Sequence, residues 1–513
     1  MIILDRILQI IVKVITSLNE LLWGDLFILE FSNGETRFGI SLLVIILIPA
    51  GIYFTCKTRF LPFRLFPEMV RVTLEKKSGN EKGSISGLQA LIIATATRVG
   101  MGNLAGVVAA ISFGGAGAVF WMWLSALIGS SSAFIESTLA QIYKEKDPLY
   151  GGFRGGPAYF MDRMRIITKI KREDIFVKDV HNEAEYVASD EQTYYTKGCK
   201  FTFLGLAFAF SGLLCWAGIS QVVANSVTSS FKNAFGIPQL ATTIVLVAIS
   251  ALIVLRKNAT VKVLDKVVPV MACAYFAVTL FIIFKNITYL PVVLNDIFSQ
   301  AFGLKPIVGG GLGAVVMNGV KRGLFSNEAG SGSAPCAAAA AEVSHPVKQG
   351  LIQSLGVFID TLVICSCSAF IMLLAPGEAI EGLVGMDLLQ AAMNYHMGKF
   401  GVVFIAIILF MFSFSTFIGI LYYARCNVAY IFGDTWKAQT GYKLFALAML
   451  FIGGVAAYTF VWDLGDLGVG LMTIFNMLAI IPLSGQAISA LRDYEKRYMM
   501  KEKEVNSNEK III

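Results

Sequence analysis

The chain has 513 residues, of which 56% are hydrophobic and only 15% are charged. Soluble domains carry about 25% charged residues, and a mean hydropathy of +0.69 lies far above their range. This composition excludes a disordered or fibrous chain and indicates an integral membrane protein surrounded by a lipid bilayer. The net charge of +7 forms no basic stripe with interleaved aromatic residues, which disfavours nucleic acid as a partner.

Hydropathy windows of about 19 residues predict an all-α polytopic fold with eleven transmembrane helices. The predicted spans are 38–56, 85–112, 118–143, 201–231, 237–255, 265–284, a glycine-interrupted stretch over 290–325, 347–374, 400–431, 444–460 and 464–491. The N-terminal segment reads as an amphipathic helix at the membrane interface. Setting the first span aside, the chain divides into 1–84, a five-helix half over 85–284 with a polar loop at 144–200, a second five-helix half over 285–491, and a tail over 492–513.

The basic residues predict the orientation. Most of the 42 Lys and Arg lie in the C-terminal tail and in loops that follow odd-numbered spans, for example Lys57, Arg59, Arg163 and Arg165. Loops rich in Lys and Arg stay in the cytoplasm. We therefore expect a cell-membrane protein with its N-terminus outside and its C-terminus cytoplasmic.

The second and seventh predicted spans each contain a glycine-rich interruption. Gly100 and Gly102 lie roughly 20 Å from the start of the second span, near the middle of the bilayer, and glycines over 303–313 interrupt the seventh at a matching depth. Glycine also lets two intact helices pack closely. Two breaks at one depth, with Arg98 in one and Lys305 in the other, favour unwound backbone that lines a site. Because each half holds five helices, the second is expected to be inverted relative to the first.

The break in the second span offers partners for both signs of charge. Free N–H groups at Met101 and Gly102 begin a half-helix and favour a carboxylate, which Gly100 and Gly102 allow to approach. Free carbonyl oxygens over 96–99 end the preceding half-helix and favour a small cation. Neutral oxygens for a monovalent cation, or for hydrogen bonds between helices, come from Asn103, Ser413, Ser415 and Thr416. A carboxylate beside a cation is what sodium-coupled uptake of an amino acid requires.

Arg98 is the most unusual residue, because an arginine at membrane depth costs about 2.5 kcal/mol or more unless it is paired or hydrated. Asp360 in the eighth span has a compatible depth. We expect either an Arg98–Asp360 ion pair or Asp360 beside a cation; the alternative is that Arg98 reaches an aqueous cavity. Glu136 is expected to hydrogen-bond a neighbouring helix, and Asn327 with Glu328 to form a structural or gating turn at the cytoplasmic face.

Four motifs carry a resemblance to a known family: RVGMGNLAGVVAAISFGGAGAVFWMW from Arg98, FRGGPAYF from Phe153, GLFSNEAGSGSAP from Gly323, and FSFST from Phe412. In this order they resemble the alanine or glycine:cation symporters, also called sodium:alanine symporters, and the resemblance covers nearly the whole chain. It implies a leucine-transporter-type fold, with inverted repeats over spans two to six and seven to eleven.

The resemblance also implies site residues. VGMGN is similar to the VGxGN segment of neurotransmitter:sodium symporters, which assigns the substrate carboxylate to the amides of Met101 and Gly102. It assigns one sodium ion to the carbonyls of Ala96 and Val99 with Ser415 and Thr416, and a second to the Arg98 carbonyl with Asn103. In the fourth span the family pattern NxVQxN is absent, and Gln221 and Asn225 stand at a different spacing. The further substrate contacts implied by the fold are Phe302, Gly309, Gly310 and Gly311.

The expected function is sodium-coupled symport of a small neutral amino acid into the cell by alternating access, with Na⁺ as the co-transported ion and no organic cofactor. Alanine, glycine and glutamine remain open, since a basic residue before VGxGN resembles a subgroup linked to glutamine as well as alanine. Proton coupling is the alternative, with Arg98 as a tethered cation; a channel would instead conduct without saturation. His181, His345 and His396 carry no zinc motif and no nucleophile–base pair is present, so neither another metal nor an enzyme is expected.

Overall fold

A computed structural model describes residues 2–30, 37–79, 81, 83–169, 202–256, 260–303, 311–456 and 458–500. The helices in chain order are α1 (Ile2–Trp23), α2 (Leu42–Lys57), α3 (Leu61–Arg64), α4 (Phe66–Thr73), α5 (Gly87–Arg98), α6 (Val107–Gly114), α7 (Gly117–Ile142), α8 (Pro157–Lys169), α9 (Phe203–Phe235), α10 (Gln239–Val254), α11 (Thr260–Lys285), α12 (Leu290–Ala301), α13 (Gly311–Asn327), α14 (Ala334–Ala340), α15 (Pro346–Val357), α16 (Ser366–Leu373), α17 (Gly377–Ile380), α18 (Met386–Phe432), α19 (Trp436–Val455) and α20 (Tyr458–Tyr494). The π-helical segments are Gly102–Gly106, Phe358–Cys365 and Glu495–Met500.

Strands are few and short. Phe27–Glu30 (β1) pairs with Arg37–Ile40 (β2), and Glu145–Lys146 (β3) pairs with Phe153–Arg154 (β4), both antiparallel. The second hairpin lies at the start of the loop predicted over 144–200 and is followed by α8, while residues 170–201 of that loop lie outside the described residues. Apart from these two hairpins, the described secondary structure is helical, as the composition predicts.

Seven of the described helices are long and apolar enough to cross a membrane, or eight when the bent pair formed by α5 and the helix that begins at Gly102 counts as one span. Two shorter apolar helices, α2 and α10, stand where the first and fifth spans are predicted. The helices thus follow the predicted order. The count of eleven crossings stays a prediction.

The predicted break in the second span is present. The helix α5 begins with a capping box between Ser86 and Gln89 and ends at Arg98, where Val99 leaves the helical region with a ψ of 68°. The chain resumes as a π-helical segment at Gly102 and continues into α6, bent by 47° from α5. Between the two parts, the buried amides of Gly100 and Met101 find partners outside the regular helical pattern.

Most of the interruption predicted over 303–313 lies outside the described residues, and the structure contains a further break after α13. The helix α12 ends at Ala301, residues 304–310 lie outside the described residues, and α13 then runs without interruption to Asn327. The unwound segment is 328–333, where Glu328, Gly330 and Gly332 have φ values of 55°, 89° and 87°. Left-handed backbone ends a helix, and Pro335 near the start of α14 begins the next one. Gly303 and Gly311, which flank residues 304–310, also have positive φ values, of 70° and 78°.

The helices pack in two neighbouring groups. The long helix α9 contacts α18, α19 and α20, whereas α7 contacts α2, α13 and α15. The broken helix α5 touches both groups, through α18 on one side and α15 on the other. The N-terminal helix α1 packs against α20 and buries Leu22 and Trp23, while Leu21 stays exposed. This arrangement sets the first break at the boundary between the groups.

Candidate functional site

The unwound backbone of the first break is held from two sides. The Gly100 amide donates to the Arg98 carbonyl at 2.8 Å and to Asn103 Oδ1 at 3.2 Å. The Met101 amide faces Thr416 Oγ1 on α18, at 3.4 Å. A Cβ on Gly102 would lie 3.1 Å from the Ser326 Cα and 3.2 Å from the Phe325 carbonyl oxygen, so glycine allows the end of α13 to approach. The first break therefore lies directly against the last turn of α13.

Three of the predicted cation ligands meet at the end of α5. The hydroxyls of Ser415 and Thr416 both lie 3.3 Å from the Ala96 carbonyl oxygen, and each also lies 2.9 Å from the Phe412 carbonyl oxygen. All of these groups are buried. Val99, the fourth predicted ligand, is fully buried as the C-cap of α5. The structure brings together neutral oxygens of the kind that suit a monovalent cation.

Asn103 and Asp360 form a second polar cluster on the other side of the break. Asn103 Nδ2 donates to Asp360 Oδ1 at 2.7 Å, while Ser326 Oγ and Thr361 Oγ1 donate to Asp360 Oδ2 at 2.9 Å and 2.8 Å. Ser368 donates to the Asn103 carbonyl. Asp360 lies in the π-helical segment 358–365, and such segments occur frequently at functional sites. Ser326 and Thr361 were not among the predicted site residues; both are adjacent in sequence to residues that were considered.

The structure forms no direct Arg98–Asp360 ion pair. Arg98 is fully buried and donates through Nη1 to the Gln353 carbonyl at 3.2 Å, while its Nε and Nη2 have no hydrogen-bond partner among the described residues. Asp360 takes its hydrogen bonds from Asn103, Ser326 and Thr361 instead. The reason is geometric: the Asp360 carboxylate faces the break, whereas the Arg98 side chain follows α15 away from it and contacts Gly356.

The second break, over 328–333, is a buried polar turn. Glu136 on α7 accepts from the Gly330 amide at 3.3 Å and from Asn476 Nδ2 at 2.7 Å, and Asn476 also donates to the Gly330 carbonyl at 3.0 Å. The expectation that Glu136 bonds a neighbouring helix is confirmed. Glu328 and Asn327, expected to form a structural or gating turn at the cytoplasmic face, are buried, and Asn327 Nδ2 donates to Thr361 Oγ1, next to Asp360, at 3.3 Å.

Hydroxyl groups join the two breaks. Thr97 Oγ1 lies 2.8 Å from the Tyr423 hydroxyl on α18 and 3.4 Å from Glu328 Oε2. The sequence analysis considered Glu328 only as part of a structural or gating turn; the spacing of Gly330 and Gly332 after it is the signal that marks the break.

An ion-pair cluster lies on the α13 side of the breaks. Arg322 binds Asp466 with two hydrogen bonds, at 2.9 Å and 3.0 Å, and Lys321 Nζ lies 2.7 Å from the same carboxylate. The Arg322 guanidinium lies 4.4 Å from the ring centre of Trp462, and that ring packs 5.0 Å from Phe325, next to the first break. Asp466 lies near the start of α20, so this cluster is far from the C-terminal end of that helix at Tyr494.

Several predicted substrate contacts are not brought to the breaks. Gln221 packs against α19 and donates to Met449 Sδ at 3.1 Å. Phe302 follows α12, is 53% exposed, and its ring lies 5.0 Å from Phe120. Gly311 begins α13, at the far end of that helix from the break, and Gly309 and Gly310 lie outside the described residues. The fourth span instead reaches the break through Ser226, whose hydroxyl lies 3.4 Å from Met101 Sδ.

A helical membrane protein in which two interrupted helices meet across buried carbonyls, hydroxyls and carboxylates has the architecture of a secondary transporter. A sequence model of the sodium:alanine symporter family matches residues 28–167 and 178–508. The chain belongs to this family. It is a multi-pass membrane protein of a family that carries out cation-coupled amino-acid transport.

Three relatives show what the family contains. The chain is 41% identical over 491 residues to "Probable sodium/glutamine symporter GlnT" of Bacillus subtilis (strain 168), covering 95% of this chain and 92% of the relative. It is 40% identical over 458 residues to "Amino-acid carrier protein AlsT" of the same organism, covering 89% and 90%. It is 35% identical over 455 residues to "Sodium/proton-dependent alanine carrier protein" of Bacillus sp. (strain PS3), covering 84% and 92%.

Proposed function

We propose that this protein is a sodium-coupled symporter that brings a small neutral amino acid into the cell by alternating access. The observation that carries the proposal is the contact of the Ala96 carbonyl with the hydroxyls of Ser415 and Thr416. This contact joins the end of the broken helix α5 to α18, which belongs to the group around α9. A cation bound there would stabilise one relative position of the two groups. That linkage is what couples an ion gradient to a conformational change.

A second cation position is proposed at Asp360. Its carboxylate oxygens, with Asn103 Oδ1 and the hydroxyls of Ser326 and Thr361, form a compact oxygen-rich cluster against the first break. Hard cations prefer oxygen ligands, and an ionised carboxylate in the bilayer is costly unless a cation or hydrogen bonds compensate it. The proposal replaces the Arg98 carbonyl, which accepts from Gly100, with Asp360 as the principal ligand beside Asn103.

The substrate is proposed to bind between the two breaks. The amides of Met101 and Gly102 begin the second half of the broken helix and favour its carboxylate, and Phe325 with Ser226 flanks the same backbone. The close approach of Gly102 to Ser326 leaves a narrow site, which favours a small amino acid. Among alanine, glycine and glutamine, the names of the relatives include alanine and glutamine.

The proposed architecture is that of two inverted five-helix repeats, with the N-terminus outside and the C-terminus in the cytoplasm of a cell membrane. The first break lies near the start of the first half of the chain and the second break near the start of the second half, which supports the repeat. The distribution of Lys and Arg supports the orientation. Proton coupling in a carrier of the same fold is the second candidate, favoured by the name of the relative that uses sodium or protons.

Uptake into proteoliposomes tests the function. Labelled alanine, glycine and glutamine are offered with an inward sodium gradient, and then with an inward proton gradient at zero sodium. Saturable uptake driven by sodium, with one substrate preferred, is the expected result. Uptake driven only by protons would replace the sodium sites with a titratable one, and conductance without saturation would contradict a carrier.

A further inference from the structure

A stripe of polar side chains on α15 and the π-helical segment that continues it follows the first broken helix. Gln349, Gln353 and Asp360 are separated by four and then seven residues, which places them on one helical face. A Cβ on Gly87, at the start of α5, would lie 3.5 Å from Gln349 Oε1. Arg98 Nη1, at the end of α5, donates to the Gln353 carbonyl at 3.2 Å. Asp360 lies two turns farther along, where the chain beyond the break hydrogen-bonds to it. We call this line of contacts the polar seam.

The middle of the polar seam is buried and holds polar atoms without partners. Gln349, Gln353 and Arg98 are fully buried. Among the described residues, the side-chain nitrogen and oxygen of both glutamines lack a hydrogen-bond partner, and so do Nε and Nη2 of Arg98. Buried polar groups are almost always hydrogen-bonded, and water completes those that protein atoms leave open. This seam therefore takes up water more readily than an apolar contact between two helices would.

The polar seam connects the proposed cation position at Asp360 with the start of α5. That end lies at Gly87, beside which Ser84 and Ser86 are partly exposed. In the proposed orientation this end faces the cytoplasm. A cation at Asp360 thus has polar neighbours along a route to the cytoplasm that is separate from the proposed substrate position. Passage of sodium along this route without substrate would dissipate the gradient that drives uptake.

Arg98 lies in the middle of this route and carries a fixed positive charge, because a guanidinium stays protonated in proteins. The described residues give it one hydrogen bond, to the backbone carbonyl of Gln353, and no ion pair. Charges interact more strongly in a medium of low polarity than in water, so Arg98 repels a cation that enters the seam. Arginine side chains exclude cations from water-conducting pores for the same reason.

We propose that Arg98 closes the polar seam to cations by its charge, so that sodium bound at Asp360 is not released to the cytoplasm without substrate. This inference rests on the proposed function and on its cation position at Asp360. Water enters the seam when α5 moves against α15, whereas a cation does not pass. The effect requires the charge of residue 98 and not its shape, which distinguishes it from a role in packing.

The test measures the entry of radioactive sodium into proteoliposomes that contain the purified full-length protein, with no amino acid present. Sodium-driven uptake of labelled alanine and glutamine is measured in parallel. Wild type should show little sodium entry without substrate. Arg98→Gln should raise this entry about fivefold, because the seam keeps its polar atoms and loses the charge. Arg98→Lys keeps the charge and should stay within about twofold of wild type.

Two substitutions of Gln353 test the seam from the side of α15. Gln353→Glu gives Arg98 an ion-pair partner with almost no change in shape, so it should also raise sodium entry, by about threefold. In the Arg98→Gln background, Gln353→Leu should return sodium entry to about the wild-type level, because it makes the seam apolar. The matched control in that background is Gln221→Leu, at a buried glutamine that packs against α19 outside the seam; it should leave sodium entry raised.

Sodium entry equal to wild type in Arg98→Gln or in Gln353→Glu would overturn the inference and leave the proposed function standing. Equal sodium entry in Arg98→Gln and Arg98→Lys would also overturn it, since the effect would then follow shape rather than charge. Raised entry that persists with Gln353→Leu would place the route outside the seam. If Arg98→Gln yields no folded protein, Gln353→Glu decides alone, because it retains Arg98. An absence of sodium-driven uptake by wild type contradicts the proposed function itself.

Discussion

The side-chain amide of Asn103 donates to Asp360 Oδ1 at 2.7 Å, and Asn103 Oδ1 accepts from the Gly100 amide at 3.2 Å. One side chain thus ties the unwound backbone of the first break to the π-helical segment of the eighth span. The carboxylate expected to pair with Arg98 is fixed to the break instead. A change in the backbone of the first break would therefore displace a hydrogen-bond partner of Asp360. A cation bound at Asp360 would in turn act on the backbone of the break.

Replacing Asp360 by asparagine should therefore weaken cation binding without removing the side chain. We expect the sodium concentration for half-maximal uptake to rise at least tenfold, because a neutral amide loses the charge that attracts the ion. Asp265→Asn is the control, since Asp265 only accepts from Gln89 near the start of α5. Unchanged sodium dependence in Asp360→Asn would remove Asp360 from the site.

Thr416→Val should raise the half-maximal sodium concentration about tenfold, since a lost ligand or hydrogen bond is worth about 1 to 2 kcal/mol. The matched control is Thr473→Val. Thr473 on α20 is buried and donates to the carbonyl four residues earlier, as Thr416 does, but it lies outside the breaks. Equal effects of the two substitutions on sodium-dependent uptake would show that only helix packing is affected.

Gly102 and Gly106 form a matched pair within one π-helical segment. A Cβ at Gly102 would press on Ser326 and Phe325, whereas a Cβ at Gly106 would meet nothing within 4 Å. Gly102→Val should abolish uptake while the protein still inserts and purifies as a monodisperse species; Gly106→Ala should retain more than half of the wild-type rate. Normal uptake by Gly102→Val would contradict the placement of the substrate between the breaks.

Removing the charge of Asp466 leaves Lys321 and Arg322 without their shared carboxylate in a buried position. Breaking a buried ion pair on one side costs about 3 to 5 kcal/mol. We expect Asp466→Asn to lower the melting temperature of the purified protein by several degrees and to reduce uptake. The neighbouring Asp463→Asn, at a half-exposed carboxylate that accepts from Asn19, should change both far less.

His345 should make the contact between α15 and the end of α20 sensitive to acid. Burial lowers the pKa of His345 to about 4, although its hydrogen bond with Asp493 opposes the shift. Its Nδ1 accepts from the Val347 amide, which requires the neutral ring, while Nε2 faces Asp493 at 3.2 Å. Because the folded pKa lies below the unfolded value, this contribution is complete above about pH 6.5 and is lost as the pH falls towards 4.

The expected loss is about 2 kcal/mol at pH 5 relative to pH 7.5. Thermal unfolding at the two pH values measures it. His345→Asn keeps an acceptor at the helix N-terminus but cannot titrate, so its melting temperature should fall less on acidification than that of wild type. An equal fall in both proteins would assign the acid sensitivity to other groups.

The sequence predicted the helical class, the order of the helices and the first break. These features depend on hydropathy and on the glycines of the GMG segment, which are properties of residues close together in the chain. Local signals also identified Ala96, Ser415 and Thr416, whose atoms meet across two helices. The break at 328–333 was not predicted from the sequence, since the glycines over 303–313 give the same local signal, and Gly303 and Gly311 also take positive φ values. Gln221 and Phe302 do not reach the breaks, because the orientation of their side chains depends on how α9 and α12 pack.

Composition, periodicity and motif order by themselves determined that this chain is a membrane carrier with an interrupted second span. Only the tertiary structure decided which buried charges face which partners. Asp360 pairs with Asn103, Glu136 accepts from the second break, and Glu328 meets the hydroxyl of Thr97 on α5. The physical reason is that hydropathy is a property of neighbouring residues in the chain. A buried polar group instead needs a hydrogen-bond partner close in space, and that partner is often hundreds of residues away in sequence.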